Sequence, residues 1–267
     1  MATPALLAQA QQELAAELRR FTGDDPGRSA AVHVLDEPAL SAEVRADVVR
    51  PAGSLVKILP ALALYRAAER GEIDLDATVP RGSLGTTMYP TILAAFSDDR
   101  PLKLREVCAF SLMTSDNPAA EYIFRLVGPD RVEQICRELR LAETAVIVGF
   151  RDEELGSPGR RNSSTVREAP RIIEHLASAP DLGELRRFLF NYQRNTRIPV
   201  RLPDEVPVMH KTGTLATVVN DAGVIHHPAG RIALAYFCDG QADKELTSVE
   251  IGDSALRITE IVAAARR

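Results

Sequence analysis

The sequence predicts an α+β protein whose strands come from the two ends of the chain and whose centre is helical. Strand-like apolar patterns occupy residues 30–49 and 206–239, whereas the 54–190 stretch between them is mostly helical in its apolar spacing. Helical spacing also opens the chain at 4–21 and closes it at 246–266. Because each element must bury its apolar face, we expect the two ends to form one α/β layer, with an all-α part inserted.

The expected domain boundaries follow from this order. Residues 1–50 and 190–267 are predicted to form a discontinuous α/β subdomain, and residues 51–189 an all-α subdomain. At the N-terminal end, the opening helix is followed by two predicted strands, Ala30–Leu35 and Val44–Val49, with a turn near Glu37.

The helical centre begins with a long apolar helix predicted from Leu55 to Arg70 and ended by Gly71. Polar residues, glycines and a proline between Gly149 and Ser164 indicate a surface loop. Further helices are predicted over residues 103–113, 117–127, 129–140 and 165–178.

The last third of the chain returns to strand patterns. Strands are predicted over Val206–Leu215, Val218–His226 and Arg231–Asp239, and His227–Gly230 would close a hairpin between the last two.

Composition and charge exclude several classes of function. Hydrophobic residues make up 45% of the chain and charged residues 26%, which is typical of globular proteins. A formal net charge of −5 offers no basic face for nucleic acid, and no apolar run has the length of a membrane span. The polar N-terminal residues do not resemble a secretory signal, so we expect a cytoplasmic location.

The cysteines and histidines predict no metal or other cofactor. Cys108, Cys136 and Cys238 are widely spaced and odd in number, so each is interpreted as a buried apolar residue rather than half of a disulfide. The five histidines lack the spacing of metal ligands, and only His210 is expected near a functional site.

The first candidate motif is Ser54-Leu55-Val56-Lys57, at the predicted start of a helix. Residues three apart share a helix face, with Cβ atoms roughly 5–6 Å apart. A serine needs a base to become a nucleophile, and the apolar neighbours of Lys57 would lower its pKa by desolvation. Taken alone, this spacing favours a helix cap and a surface lysine.

The second motif is Ser115-Asp116-Asn117. Ser115 is a candidate proton relay to a leaving group, and Asn117 a candidate partner for a substrate amide. Asp116 would organise the turn through backbone hydrogen bonds. The alternative is a plain helix cap, because Asn117-Pro118 opens a helix.

The third motif, Lys211-Thr212-Gly213, lies on a predicted strand. The glycine would let a substrate approach the backbone closely. Lys211 and Thr212 would bind a carboxylate or stabilise the second serine, and the Thr214 N–H would form an oxyanion hole with that of Ser54. The alternative is a strand-edge lysine that prevents edge pairing.

The three motifs occur in the order SxxK, SDN and KTG, each in its expected context of helix start, loop before a helix, and strand. The chain therefore resembles the class A β-lactamase-like, penicillin-recognising serine hydrolases over nearly its whole length. The resemblance implies a five-stranded antiparallel sheet flanked by the terminal helices, with an inserted all-α domain and the site in the cleft between. It implies no cofactor.

By that resemblance, Ser54 is the acylated nucleophile and Lys57 is its base or proton shuttle. Ser115 would pass the proton to the leaving nitrogen, and Asn117 would bind the acyl side chain. The substrate carboxylate and the oxyanion would be held by Lys211, Thr212, Gly213 and Thr214.

One departure from the family lies in the predicted surface loop. The family's omega loop reads close to Glu-Pro-Glu-Leu-Asn, and its first glutamate activates the deacylating water. The nearest match here is Asp152-Glu153-Glu154-Leu155-Gly156. Asp152 is one methylene shorter than that glutamate, so Asp152 or Glu153, or else Glu154, is the candidate deacylation carboxylate; solvated loop residues are the other interpretation.

A second departure is the absence of an arginine from the strand after the third motif, where the family grips the substrate carboxylate. Asp221 in that strand would repel a carboxylate if it faced the cleft, unless it packs away from it.

The sequence therefore predicts a serine hydrolase that forms an acyl-enzyme on Ser54 from a β-lactam or a related cyclic amide or ester. One alternative is a β-lactam-binding or sensing protein that acylates with little turnover, as the loop at Asp152 suggests. The other is a peptidase or esterase with an unrelated cytoplasmic substrate. In each case the expected partner is a small-molecule substrate.

Overall fold

A five-stranded antiparallel sheet dominates the computed structural model, which describes residues 3–151 and 161–266. In the large sheet the strand order is β2-β1-β9-β8-β7, and two short ladders pair β3 with β6 and β4 with β5. The strands are β1 (Arg28–Val34), β2 (Ser41–Val44), β3 (Arg50–Pro51), β4 (Thr78–Pro80), β5 (Pro101–Lys103), β6 (Ser163–Ser164), β7 (Val208–Thr214), β8 (Val219–His227) and β9 (Gly230–Cys238).

Helices cover both faces of this sheet, and in the described residues none is long and apolar enough to cross a membrane. The predicted α+β fold with a five-stranded antiparallel sheet is confirmed. The helices are α1 (Pro4–Thr22), α2 (Ile58–Glu69), α3 (Leu104–Met113), α4 (Asn117–Val127), α5 (Pro129–Glu138), α6 (Ala169–Ser178), α7 (Gly183–Phe190) and α8 (Lys244–Ala265).

Strand alternation divides the core into two clusters. On one face, Val32 and Leu234 pack against the terminal helices α1 and α8, which contribute Leu14 and Ile258. On the other face, small residues from β1, β8 and β9 pack against the helical part of the chain, including α2 and α6. The sheet is therefore a shared layer, and its edge strand β7 borders the helical part.

The bounds predicted for the second strand, Val44–Val49, are wrong. The observed strand is Ser41–Val44, which pairs with β1 so that Ala42 lies opposite Val32. The turn before it is compact, because the Val34 N–H donates to the Leu40 carbonyl at 2.9 Å. Val48 and Val49 are instead 42% and 47% exposed, so their apolar character does not mark a buried strand.

Two other expected boundaries also differ. The predicted 165–178 helix begins only at Ala169, after a turn in which the Glu168 N–H donates to Thr165 Oγ1 at 3.1 Å. The predicted surface loop from Gly149 to Ser164 ends in a buried strand, β6, and Asn162 before it is only 5% exposed.

Candidate active site

Ser54 lies in a single 3₁₀ turn, Gly53–Lys57, that leads into α2 beside the edge strand β7. Gly53 has φ of +58°, and a Cβ on it would lie 2.9 Å from the Thr214 nitrogen. The residue before Ser54 therefore lies directly against the Thr214 backbone nitrogen, which makes the Thr214 N–H a candidate oxyanion-hole donor.

Close packing of the chain requires a glycine at position 213. On the side where its Cβ would stand, the space is filled by the carbonyl oxygen of Ala52. The missing side chain lets β7 lie directly against the segment that carries Ser54.

Lys57 is buried, with a side chain 1% exposed. Its Nζ lies 2.7 Å from the Ser115 carbonyl oxygen, 2.6 Å from Asn117 Oδ1 and 5.4 Å from the centroid of the Phe150 ring. Burial lowers the pKa of Lys57 to about 7, with Asp116 opposing that shift. An amine with this pKa is partly neutral at physiological pH and is suited to accept a proton.

Ser115 occupies a strained turn between α3 and α4. Its φ of +61° lies in the left-handed region, which a residue with a side chain seldom adopts. Asp116 holds the turn, because its carboxylate accepts the Ala119 N–H at 3.0 Å and the Thr91 hydroxyl. Such strain is found at functional sites, where the surroundings fix the backbone.

Lys211 is fully buried although it lies on an edge strand, so it does not act as a solvent-facing edge lysine. Its Nζ lies 3.0 Å from Ser115 Oγ, 3.0 Å from the Tyr192 hydroxyl and 2.9 Å from the Thr212 carbonyl oxygen. Burial and the repulsion of Lys57 hold the pKa of Lys211 well below the ordinary lysine value.

These contacts place the Ser115 hydroxyl between two buried amines. Its Oγ is 3.5 Å from Lys57 Nζ and 3.0 Å from Lys211 Nζ. The two lysines come from opposite sides of the cleft, one from the helical part and one from the sheet. A hydroxyl held in this way can exchange protons with either neighbour.

Asn117 lines a cavity of about 390 Å³. Its Oδ1 accepts a hydrogen bond from Lys57, and the cavity is also lined by Phe150, Tyr122 and the segment 83–88. Lys57 thus orients the Asn117 amide, which also lines this cavity.

A buried cation, Arg197, lies beside the end of β7, close to the third motif. Its guanidinium donates to Thr214 Oγ1 at 2.7 Å and to the Gly213 carbonyl at 3.2 Å. No local sequence signal marks Arg197, since it lies in an irregular segment fourteen positions before Lys211. Only the fold brings it to the end of β7.

Asp221 packs away from the cleft, which decides between the two sequence-based interpretations. It is fully buried and accepts hydrogen bonds from the Ile198 N–H at 3.1 Å and from His210 Nδ1 at 3.0 Å. In register it lies opposite Thr212, on the sheet face turned away from the Lys211 side chain. It therefore does not oppose a substrate carboxylate.

The candidate deacylation carboxylates Asp152 and Glu153 lie outside the described residues. Where the described residues resume, Asn162 contacts the segment before Ser54. The Ala52 N–H donates to the Asn162 carbonyl oxygen at 2.8 Å, and Asn162 Oδ1 accepts the Val148 N–H at 3.0 Å.

A serine at a helix start, a buried lysine one turn later and a second serine held between two lysines define an acyl-transferring serine hydrolase. The sheet with helices on both faces places this site at the boundary of two lobes. A sequence model described as the Beta-lactamase enzyme family matches residues 10–262, and the chain belongs to that family. It is a β-lactamase-like serine hydrolase.

Individual proteins with similar sequences or structures agree with this family assignment. The chain is 26% identical over 219 residues to the extended-spectrum β-lactamase PER-1 of Pseudomonas aeruginosa, covering 75% of this chain and 71% of that protein. It is also 26% identical over 247 residues to the β-lactamase regulatory protein BlaB of Streptomyces cacaoi, covering 73% and 79%. The fold matches a β-lactamase structure from Sphaerobacter thermophilus with TM-score 0.84 and 23% identity, over 95% of this chain and 97% of that one.

Proposed function

We propose that Ser54 attacks the carbonyl carbon of a β-lactam and forms an acyl-enzyme, with Lys57 as the base. The observation that carries this proposal is the Ser115 hydroxyl, which lies within 3.5 Å of Lys57 Nζ and 3.0 Å of Lys211 Nζ. That arrangement gives a proton taken up by Lys57 a route through Ser115 towards the departing nitrogen.

The step balances through these residues. As the bond from Ser54 Oγ to the carbonyl carbon forms, the hydroxyl proton passes to neutral Lys57. The carbonyl oxygen takes up charge between the N–H groups of Ser54 and Thr214. When the ring C–N bond breaks, Ser115 gives its proton to the nitrogen and receives one from Lys57.

The other end of the site is suited to a carboxylate. Arg197 lies 2.7 Å from the Thr214 hydroxyl at the end of β7, and Lys211 lies three residues earlier on the same strand. Two cations beside a hydroxyl favour an anionic group on the substrate, and a β-lactam carries one next to its ring nitrogen.

Intact-protein mass spectrometry after incubation with penicillin tests the proposal. The wild type is expected to gain the mass of penicillin, and Ser54→Ala to gain none. Ser163→Ala, which removes a hydroxyl from β6, is the matched control and should acylate normally. An adduct that persists in Ser54→Ala would refute the assignment of the nucleophile.

A second function, penicillin sensing with little turnover, is favoured by the likeness to a β-lactamase regulatory protein and by the sequence at Asp152. The two functions differ in the lifetime of the adduct. Hydrolysis predicts rapid return of the unmodified mass and colour change of a chromogenic cephalosporin. Sensing predicts an adduct that lasts for hours and is unaffected by Asp152→Asn or Glu153→Gln.

We further propose that the protein works in the cytoplasm. Cys108, Cys136 and Cys238 are all buried and unpaired, as is usual in a reducing compartment. Fractionation of the native host with an antibody against the chain tests this proposal, and recovery from the extracellular or periplasmic fraction would contradict it.

A further inference from the structure

The segment from Tyr192 to Arg197, which follows α7, lies beside β7 and contacts the residues of the third motif and their neighbours. Each of three side chains supports a different position of the strand, so this irregular segment braces the lysine strand along its length. The pairs are Tyr192 with Lys211, Asn195 with His210, and Arg197 with Thr214.

Tyr192 is the member of this segment that reaches the reacting groups most closely. Its side chain is buried, with only 2% of the residue exposed. The hydroxyl lies 3.0 Å from Lys211 Nζ and hydrogen-bonds to Thr212 Oγ1, and Lys211 Nζ also lies 4.5 Å from the centroid of the ring. The tyrosine thus offers the lysine both an oxygen acceptor and an aromatic face.

The surroundings of Lys211 match the hydrogen-bonding capacity of an ammonium. A charged lysine has three N–H donors and no acceptor. Three oxygens lie within reach of Nζ, at 3.0, 3.0 and 2.9 Å, on Ser115, Tyr192 and Thr212. With the tyrosine oxygen accepting from the lysine, its own proton is directed to Thr212 Oγ1, and every donor is satisfied.

We propose that Tyr192 is a positioning residue that fixes the Lys211 amine, as an ammonium, against the Ser115 hydroxyl. The inference rests on the proposed function, since it assigns Ser115 and Lys211 the proton-relay and carboxylate-binding roles. The hydrogen-bond partners of the Tyr192 hydroxyl are Lys211 and Thr212. It acts by holding Lys211, which in turn keeps Ser115 Oγ directed between the two lysines.

The charges around Lys211 explain why the Tyr192 hydroxyl is important for holding the lysine as an ammonium. Lys57 and the guanidinium groups of Arg194 and Arg197 repel the ammonium, whereas Asp221 attracts it from β8. Burial lowers the pKa further, so each remaining acceptor contributes to keeping the proton. Tyr192 remains neutral, because burial raises the pKa of its hydroxyl.

The test compares Tyr192→Phe with Tyr236→Phe. Both changes delete a buried hydroxyl, but the Tyr236 hydroxyl bonds to Ser254, at 3.2 Å, in the core beneath the terminal helices. Tyr192→Phe is expected to slow acylation by penicillin about 10- to 100-fold, the range for a charged group that loses one hydrogen-bond partner.

The pH dependence separates positioning from a structural role. Loss of the acceptor lowers the pKa of Lys211 further, so the alkaline limb of the acylation profile should move to lower pH, and KM for carboxylate-bearing substrates should rise. Tyr236→Phe should lower thermal stability and leave the limb in place. A wild-type pH profile in Tyr192→Phe, with only a stability loss like that of Tyr236→Phe, would overturn the proposal.

A second readout does not depend on turnover. Side-chain NMR of isotope-labelled lysine, with Lys211 assigned through Lys211→Arg, follows the titration of this amine directly. Its pKa should be lower in Tyr192→Phe than in the wild type, and equal values would overturn the inference. This titration decides the matter even if the wild type forms no adduct, a result that would contradict only the proposed acyl transfer.

Discussion

At the scale of single residues, the site depends on amines whose charge is set by burial. Lys57 and Lys211 are each almost inaccessible to water, and among the described residues the amine of each is hydrogen-bonded to carbonyl, amide or hydroxyl oxygens. Desolvation disfavours the charged form of an amine. The fold therefore keeps the pKa of Lys57 near physiological pH, where the amine readily gains and loses a proton.

The first consequence concerns the acid limb of acylation. Only neutral Lys57 can accept the Ser54 proton, and its pKa of about 7 means that the neutral fraction falls as pH drops below that value. The acylation rate should therefore rise with pH up to about 7 and fall about tenfold for each unit below it. Stopped-flow measurement with a chromogenic cephalosporin between mildly acidic and mildly basic pH gives this limb.

The Lys57→Arg variant tests whether Lys57 is the base responsible for the acid limb of the acylation profile. A guanidinium stays charged throughout the accessible pH range, so acylation should fall about 10²- to 10⁴-fold, the usual contribution of a general base. An acid limb near the ordinary carboxylate range in the wild type would instead indicate that an acidic side chain is the base.

At the scale of elements, the site depends on how closely β7 approaches the Ser54 turn. Two glycines meet there: Gly53 in a left-handed conformation and Gly213 against the carbonyl of Ala52. Asn220 on β8 strengthens the junction, because its Nδ2 donates to the Pro51 carbonyl at 2.7 Å. The distance between the nucleophile and the lysine strand is thus fixed by backbone contacts.

Gly213→Ala tests this junction. The added methyl group would overlap the Ala52 carbonyl, so β7 must move away from Ser54. We expect a loss of about 1–3 kcal/mol in unfolding free energy, typical of overpacking, together with a marked loss of acylation. Chemical denaturation and the mass-spectrometric adduct assay measure the two effects.

The control for Gly213→Ala is Gly183→Ala at the start of α7. An added methyl group there meets only the flexible end of Arg186, at 3.5 Å. This variant should fold and acylate like the wild type, because alanine is also favoured over glycine in a helix. If both variants retain full activity, the close approach of β7 is not needed for function.

At the scale of the whole molecule, the sheet joins the two core clusters into one body. Alternate residues of the same strands enter different clusters, as Ala31 and Val32 of β1 do. The helical part therefore buries its apolar surface against a sheet that the terminal helices complete on its other face. Each half lacks a full core without the other.

Unfolding should accordingly be a single cooperative transition. Leu14→Ala in one cluster and Ile172→Ala in the other each create a cavity at a fully buried position and should destabilise the entire fold by about 2–5 kcal/mol. Since the chain contains no tryptophan, far-ultraviolet circular dichroism and tyrosine absorbance are the probes. Two separate transitions would show that the sheet and the helical part unfold independently.

Local chemistry explains which features were accessible from sequence. The α+β class, most helices and the hairpin at β8 and β9 follow from apolar periodicity and turn residues within short segments. Ser54, Lys57, Ser115 and Lys211 could be identified from the three motifs because each motif lies at a recognisable helix start, loop before a helix, or strand. The position of β2 was predicted wrongly, since Val48 and Val49 are apolar but exposed.

What the sequence by itself determined is the class of fold, the family resemblance and the identity of the candidate reacting side chains. Only the tertiary structure decided that Tyr192 contacts Lys211 and Arg197 contacts Thr214, that Asp221 points away from the cleft, and that the missing side chain of Gly213 leaves room for the Ala52 carbonyl. The physical reason is that these roles arise from contacts between distant parts of the chain. Sequence periodicity reports which face a residue occupies, whereas burial, pKa and close backbone approach depend on what packs against that face.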